Sequence, residues 1–332
     1  MKVVGLITEY NPFHNGHKYH IEEAKRLTGA DFAVIVMSGD FVQRGTPAII
    51  DKYTRAEMAL RNGVDLVLEL PVCYATGSAD FFARGAVSLL DKLGIVDFLC
   101  FGSESGDIKL LREAAQFLLE TPEAFDDRLQ AFLKDGLTYP AARAKALKHT
   151  LEAKEEVNEQ ALVQVLTDPN NILGIEYIKA LLRFNSSIQP ITIKRIAAGY
   201  HDIHLSEHPS QTAAYSMQSQ SCDDLKPDNA VISSATAIRR AFQNQNKDVN
   251  TSFMQAKLSV PADVYQILQT NYLKTYPITE EDFSSIIKYK LLTEDKQALT
   301  GYVDINGDLA YRLKNITDFD LSISDLAIKI KT

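Results

Sequence analysis

At 332 residues, 45% hydrophobic and with a formal net charge of −8, the chain can build one large domain plus a smaller one, and it is too acidic to coat nucleic acid indiscriminately. No apolar run approaches the roughly 18 residues of a membrane span, and the first is too soon interrupted by Glu9 to serve as a secretory signal. Cys73, Cys100 and Cys222 lie far apart with neither a disulfide framework nor a zinc spacing, which fits a reducing cytoplasm.

Val3-Val4-Gly5-Leu6-Ile7 predicts a buried strand, and the spacing from about Lys18 to Leu27 predicts a helix. Between them, Thr8 to His17 turns through Asn-Pro and Asn-Gly. Such a strand-to-helix turn places free N–H groups and the positive helix end around an anion, and Gly16 lets a phosphate approach the backbone. His14 and His17 stand ready there to donate to phosphate oxygens, with His20 one turn on as a supporting partner or contact. A zinc reading of these histidines finds no further local ligand beyond His20. Phe32–Met37, Leu66–Leu70 and Val96–Phe101 read as further strands, with helices over about Asp51–Asn62 and Ala79–Leu93 between them. The alternation predicts an α/β fold with a doubly wound parallel sheet, whose ligand crevice gathers Thr8–His17, Ser38–Arg44 and Gly102–Glu104.

Lys109 to about Ala180 reads as mostly helical, interrupted by Pro140 and by Asp168-Pro169-Asn170-Asn171, where an Asn cap starts a helix. Pro190–Ile193 predicts a fifth strand that runs into Lys194-Arg195. His201 to Ala230 is polar and turn-rich. Ser233 or Ser234 then caps a helix whose first turns carry Thr236 and Arg239, a second anion site that pairs with the first as a triphosphate clamp. From about Asp248 the pattern changes to a small helical domain, and Leu299–Thr332 is weakly patterned.

Asn11-Pro12-Phe13-His14-Asn15-Gly16-His17 resembles the first signature of the HIGH-type nucleotidyltransferase superfamily, and Ile232-Ser233-Ser234-Ala235-Thr236-Ala237-Ile238-Arg239 is similar to its second. With Gly5–Thr8-Glu9-Tyr10, Met37–Gly45, Phe101–Glu104 and Pro169–Tyr177, the chain resembles the bacterial tRNA(Met) cytidine acetate ligase family over roughly its first three-quarters. The resemblance implies a Rossmann-like catalytic domain over residues 1–247, with a helical insertion at about 107–185, and a mostly helical C-terminal domain over 248–332 that binds tRNA. The family usually continues with a basic helical segment beyond Lys331-Thr332, so a shortened C-terminal domain is expected here.

The implied activity is ATP-dependent formation of acetyl-adenylate from acetate, then transfer of the acetyl group to N4 of the wobble cytidine of elongator tRNA(Met). Implied ATP contacts are Ile7, Thr8, Glu9, Tyr10, Asn11, Pro12, Phe13, His14, Asn15, Gly16, His17, Lys18, Tyr19, His20, Gly102, Asn170 or Asn171, and Arg195. The chemistry assigns the catalytic part to His14 and His17 and the β- and γ-phosphates to Ser233 or Ser234, Thr236 and Arg239. Magnesium is expected through phosphate oxygens rather than dedicated protein ligands. Lys194 and Arg240 are candidate tRNA contacts, and nothing in the sequence calls for a membrane or an obligatory protein partner. The rival readings are an adenylyltransferase of phosphorylated small molecules and a nucleotide-binding module without catalysis.

Overall fold

Strands β1 (Val3–Thr8), β2 (Phe32–Ser38), β3 (Leu66–Leu70), β4 (Phe98–Ser103) and β5 (Gln189–Lys194) form one parallel sheet in the order β3-β2-β1-β4-β5. The structure, a computed structural model, describes residues 1–119, 123–137, 141–142, 145–146, 165–195, 234–243, 249–316 and 322–331. From β1 the chain builds outward through β2 and β3 on one side and later through β4 and β5 on the other, so the order reverses beside β1. That reversal opens a crevice at the carboxyl ends of β1 and β4.

Alternate residues of each strand face opposite layers, which is why the inner strands β1 and β2 read as nearly unbroken apolar runs. Val3, Val34, Leu99 and Phe101 bury against helices α3 (Ala79–Leu93), α4 (Ile108–Leu119), α5 (Glu123–Lys134) and α6 (Pro169–Arg183). Val4, Leu6, Ile35 and Cys100 bury against α1 (Asn15–Thr28), α2 (Lys52–Arg61), α7 (Ala235–Gln243), α8 (Val249–Ser259) and α9 (Ala262–Asn271). Helices α10 (Ser284–Thr293), α11 (Gly307–Lys314) and α12 (Ile323–Lys331) gather around a small cluster of Leu291, Leu299 and Ala310. The change of pattern near 248 coincides with α8, but α8 and α9 share the apolar layer of β1 and β2. Phe283, just before α10, rests on Phe41 with ring centroids 5.4 Å apart.

Some boundaries differ from the pattern reading, each for a local reason. Helix α1 begins at Asn15 because His14 and His17 close a capping box around its first turn. Strand β4 begins two residues late: Asp97 instead accepts the Val3 N–H on its carboxylate, at 2.8 Å. Asp168, not an asparagine, holds the cap position of α6, and Pro169 fits the first helical residue because its missing N–H is not needed there. The weakly patterned C-terminal stretch contains α11 and α12.

Candidate functional site

The carboxyl ends of β1, β4 and β5 and the first turns of α1, α6 and α7 surround a cleft of about 360 Å³. His14 caps α1 by accepting the Gly16 N–H on Nδ1 at 3.1 Å, and His17 accepts the His14 N–H on its own Nδ1 at 3.3 Å. With both Nδ1 atoms acting as acceptors, each neutral ring carries its proton on Nε2, which leaves two imidazole donors on the cleft wall. The two rings stack at 3.6 Å, and Tyr10 and Phe13 pack against His17 at 4.7 and 5.6 Å. Tyr10 takes φ +46°, a conformation uncommon for a bulky residue, and so turns the chain out of β1 toward the histidines.

Burial first, then Arg195 and Arg239, push His14 down to about 3; burial and Arg195 push His20 down to about 4. His17 is held well below the ordinary imidazole range by burial and by its two histidine neighbours. The rings keep an edge on the cleft while protein surrounds the rest of them, so they are neutral donors at neutral pH. His20 Nε2 lies 3.8 Å from Cys100 Sγ, which ties that ring to β4 behind the histidine pair.

The second signature reaches the same cleft. Ser234 Oγ accepts the Ala237 N–H at 3.2 Å and caps α7, while Ser233 and Ile232 lie outside the described residues. One turn on, Arg239 donates to Asn11 O at 2.7 Å and to Thr236 Oγ1 at 3.0 Å. On the third wall, Arg195 donates to Asn170 Oδ1 at 3.4 Å, and Asn170 in turn donates to Glu104 Oε1 at 2.6 Å. Asn171 is buried behind this wall, where its Oδ1 accepts from Ser105 N at 3.1 Å and its N–H meets Glu104 Oε2 at 2.9 Å.

Of the residues singled out in the sequence, Ile7, Thr8, Glu9, Tyr10, Asn11, His14, Gly16, His17, Tyr19, His20, Gly102, Asn170, Lys194, Arg195, Ser234, Thr236 and Arg239 line the cleft. Pro12, Phe13, Asn15, Lys18 and Asn171 do not: Phe13 is buried, Asn15 donates to Leu258 O at 3.0 Å, and Lys18 points to solvent. Arg240 is exposed outside the cleft. From the loop 38–44, Gln43 reaches the wall, and its N–H donates to Glu9 Oε1 at 2.9 Å. Phe82, Phe101, Leu173, Tyr177, Ile193 and Ala235 also line it without having been singled out. The spacing of Asn170, Leu173 and Tyr177 puts them on one helix face and could have found two of these.

Arg55 was also missed. Its side chain is fully buried in α2, and its guanidinium donates to Ile50 O at 3.0 Å, Glu9 O at 2.6 Å, Ser38 O at 3.1 Å and Gly39 O. It fastens the carboxyl ends of β1 and β2 and sets where the histidine turn begins. Among the described residues, no group of three or more His, Cys, Asp or Glu side chains is arranged to hold a metal ion.

The chain matches the family model described as HIGH Nucleotidyl Transferase over residues 1–231 and 216–332. It is 41% identical to the tRNA(Met) cytidine acetate ligase of Acetivibrio thermocellus, an alignment covering 100% of this chain and 73% of that protein. It is 40% identical to the tRNA(Met) cytidine acetate ligase of Alkaliphilus metalliredigens over 94% of this chain and 68% of the relative. Among solved structures it is similar to Thermotoga maritima TmcAL bound with alpha-thio ATP, with a TM-score of 0.80 and 35% identity, covering 100% of this chain and 71% of that one.

Proposed function

The chain belongs to the tRNA(Met) cytidine acetate ligase family of HIGH nucleotidyl transferases, and from that membership we propose that it uses ATP to ligate acetate to tRNA(Met). A carboxylate oxygen of acetate bonds to the α-phosphorus of ATP, the bond to the β-phosphate breaks, and pyrophosphate leaves with its electron pair. The N4 amine of the wobble cytidine then attacks the acetyl carbon; AMP leaves with the C–O electrons, and the nitrogen loses a proton to solvent.

The first step asks for placement and charge stabilisation rather than covalent help. His14 and His17 donate Nε2–H to phosphate oxygens as charge builds on them, and Gly16 leaves room for that approach. Arg239 exchanges its Asn11 carbonyl for the β- and γ-phosphates, beside Thr236 and the cap of α7 at Ser234. Asn170, Gly102 and Arg195 hold the adenosine side. Magnesium would be held through the phosphates rather than by dedicated protein ligands, and it would supply charge neutralisation there. Lys194 in the cleft wall and Arg240 outside it contact tRNA phosphates, with residues 248–332 as the tRNA-binding part and 1–247 as the catalytic part. The reaction belongs in the cytoplasm, and among the described residues no helix is long and apolar enough to cross a membrane.

The observation that carries this reading is the meeting of two signatures 228 residues apart through the Arg239–Asn11 hydrogen bond. The test is ATP–pyrophosphate exchange with and without acetate, followed by acetyl transfer to tRNA(Met). Exchange that requires acetate is the expected result. Exchange that ignores acetate, or needs a phosphorylated small molecule, would sink the ligase reading.

A further inference from the structure

The cleft has an end that the phosphates do not use. Phe82, Phe101, Leu173, Tyr177 and Ile7 line it with carbon, and all five belong to the apolar layer between the sheet and α3 and α6. The histidine pair and Arg239 stand over the opposite layer, beside α1 and α7. The cleft therefore crosses the carboxyl edge of the sheet from one face to the other. Helix α6 spans the change along one side: Asn170 meets Arg195, and Tyr177, about 10 Å further along the axis, packs edge-on against Phe101.

In-line displacement puts the attacking and leaving oxygens on opposite sides of the α-phosphorus. With pyrophosphate drawn to the α1 and α7 starts, the attacking acid must come from the α3 and α6 side. An acid seated there points its carboxylate at the phosphorus and its alkyl group into the aromatic end. Adenine fits this end poorly, because its nitrogens need polar partners and the side chains there offer only one hydroxyl. That hydroxyl is Tyr177 Oη, whose side chain is 5% exposed and makes no hydrogen bond among the described residues. We propose that the end formed by Phe82, Phe101, Leu173 and Tyr177 is the subsite for a short aliphatic carboxylate, with Tyr177 Oη donating to its non-attacking oxygen and Leu173 limiting the length of its alkyl group. The proposal rests on the ligase reading and adds the selection of the acid.

The test measures pyrophosphate exchange for wild type, Leu173→Ala and Tyr177→Phe with acetate, propionate or butyrate, and the KM for ATP of each. Leu173→Ala should raise the ratio of propionate to acetate kcat/KM by about 10-fold, within the range that one methylene supplies in an apolar pocket. Tyr177→Phe should raise the KM for acetate several-fold, and the KM for ATP should stay put in both variants. A raised KM for ATP with an unchanged acid profile would assign this end to the nucleotide and overturn the proposal. Unchanged values for acid and ATP alike in soluble, folded variants would overturn it as well. Wild-type exchange that ignores every acid is a different failure, that of the ligase reading itself.

Discussion

Backbone hydrogen bonds and ring packing together position His14 and His17: each Nδ1 closes part of the α1 cap, and each Nε2 is left for substrate. Replacing His17 by Ala should lower acetate-dependent exchange by roughly 100- to 1,000-fold, the range for losing one donor to developing charge. Because His17 also takes part in the cap, His17→Asn is the useful companion, since it keeps an acceptor for the His14 N–H; exchange lost with unchanged circular dichroism separates catalysis from capping. The histidines also make the free protein sensitive to acid. Their protons bind more readily in the unfolded chain, at the ordinary 6.5, than in the fold, at about 3 for His14 and about 4 for His20. Their contribution is complete above pH 6.5 and is lost as pH falls toward 4 and 3. Urea unfolding at intervals from pH 7 to pH 4 should show this slope, and it should be shallower in a His14→Asn/His17→Asn protein. Arg55 lay beyond sequence reading for a plain reason. Its partners are the backbone carbonyls of Glu9, Ser38, Gly39 and Ile50, which no residue pattern reports, and an arginine in a helix reads as a solvated charge. Arg55→Met leaves buried backbone carbonyls without their donor and should cost about 2–4 kcal/mol in urea unfolding.

The inner strands β1, β2 and β4 were legible because both of their faces are largely buried, so apolar runs bounded by Gly, Pro or Asp mark them closely; β3, a part-exposed edge strand, and α3 also fall where the pattern puts them. The start of α1 was not, because histidine is not among the usual caps and the box depends on two rings meeting in space. Helices α11 and α12 were hidden for another reason: they cover only a small cluster, so little apolar periodicity is required of them. The aromatic end of the cleft looked like ordinary core, since Phe82 and Phe101 are apolar residues in regular elements and only the topology opens a cavity beside them. The fit of α6 to the sheet turns on Gly174, where an added Cβ would stand 2.5 Å from Phe101 Cε2. Gly174→Ala gains helix propensity but forces Phe101, itself 4% exposed, to shift, so a net loss of about 1–3 kcal/mol is expected in thermal or urea unfolding.

Taken whole, the molecule is acidic, with a net charge of −8, around a cleft whose walls carry Lys194, Arg195 and Arg239. Such a distribution favours local contact with a polyanion over general adhesion to it. Affinity for tRNA(Met) should therefore fall steeply as salt rises, while acetate-dependent exchange in the absence of tRNA changes much less; filter binding and exchange assayed across the same salt series would check both halves. The way the cleft is assembled also has a consequence in time. Asn11 and Arg239, which close it, are 228 residues apart, and a ribosome adding about 5–20 residues per second needs roughly 10–45 s to make the second after the first. During that interval the emerging chain has its histidine turn but not Arg239, and for most of it not Arg195 either. The clamp on the β- and γ-phosphates therefore closes only after β5, the last strand, has been made, so ATP gains its full set of contacts from a sheet that is already built.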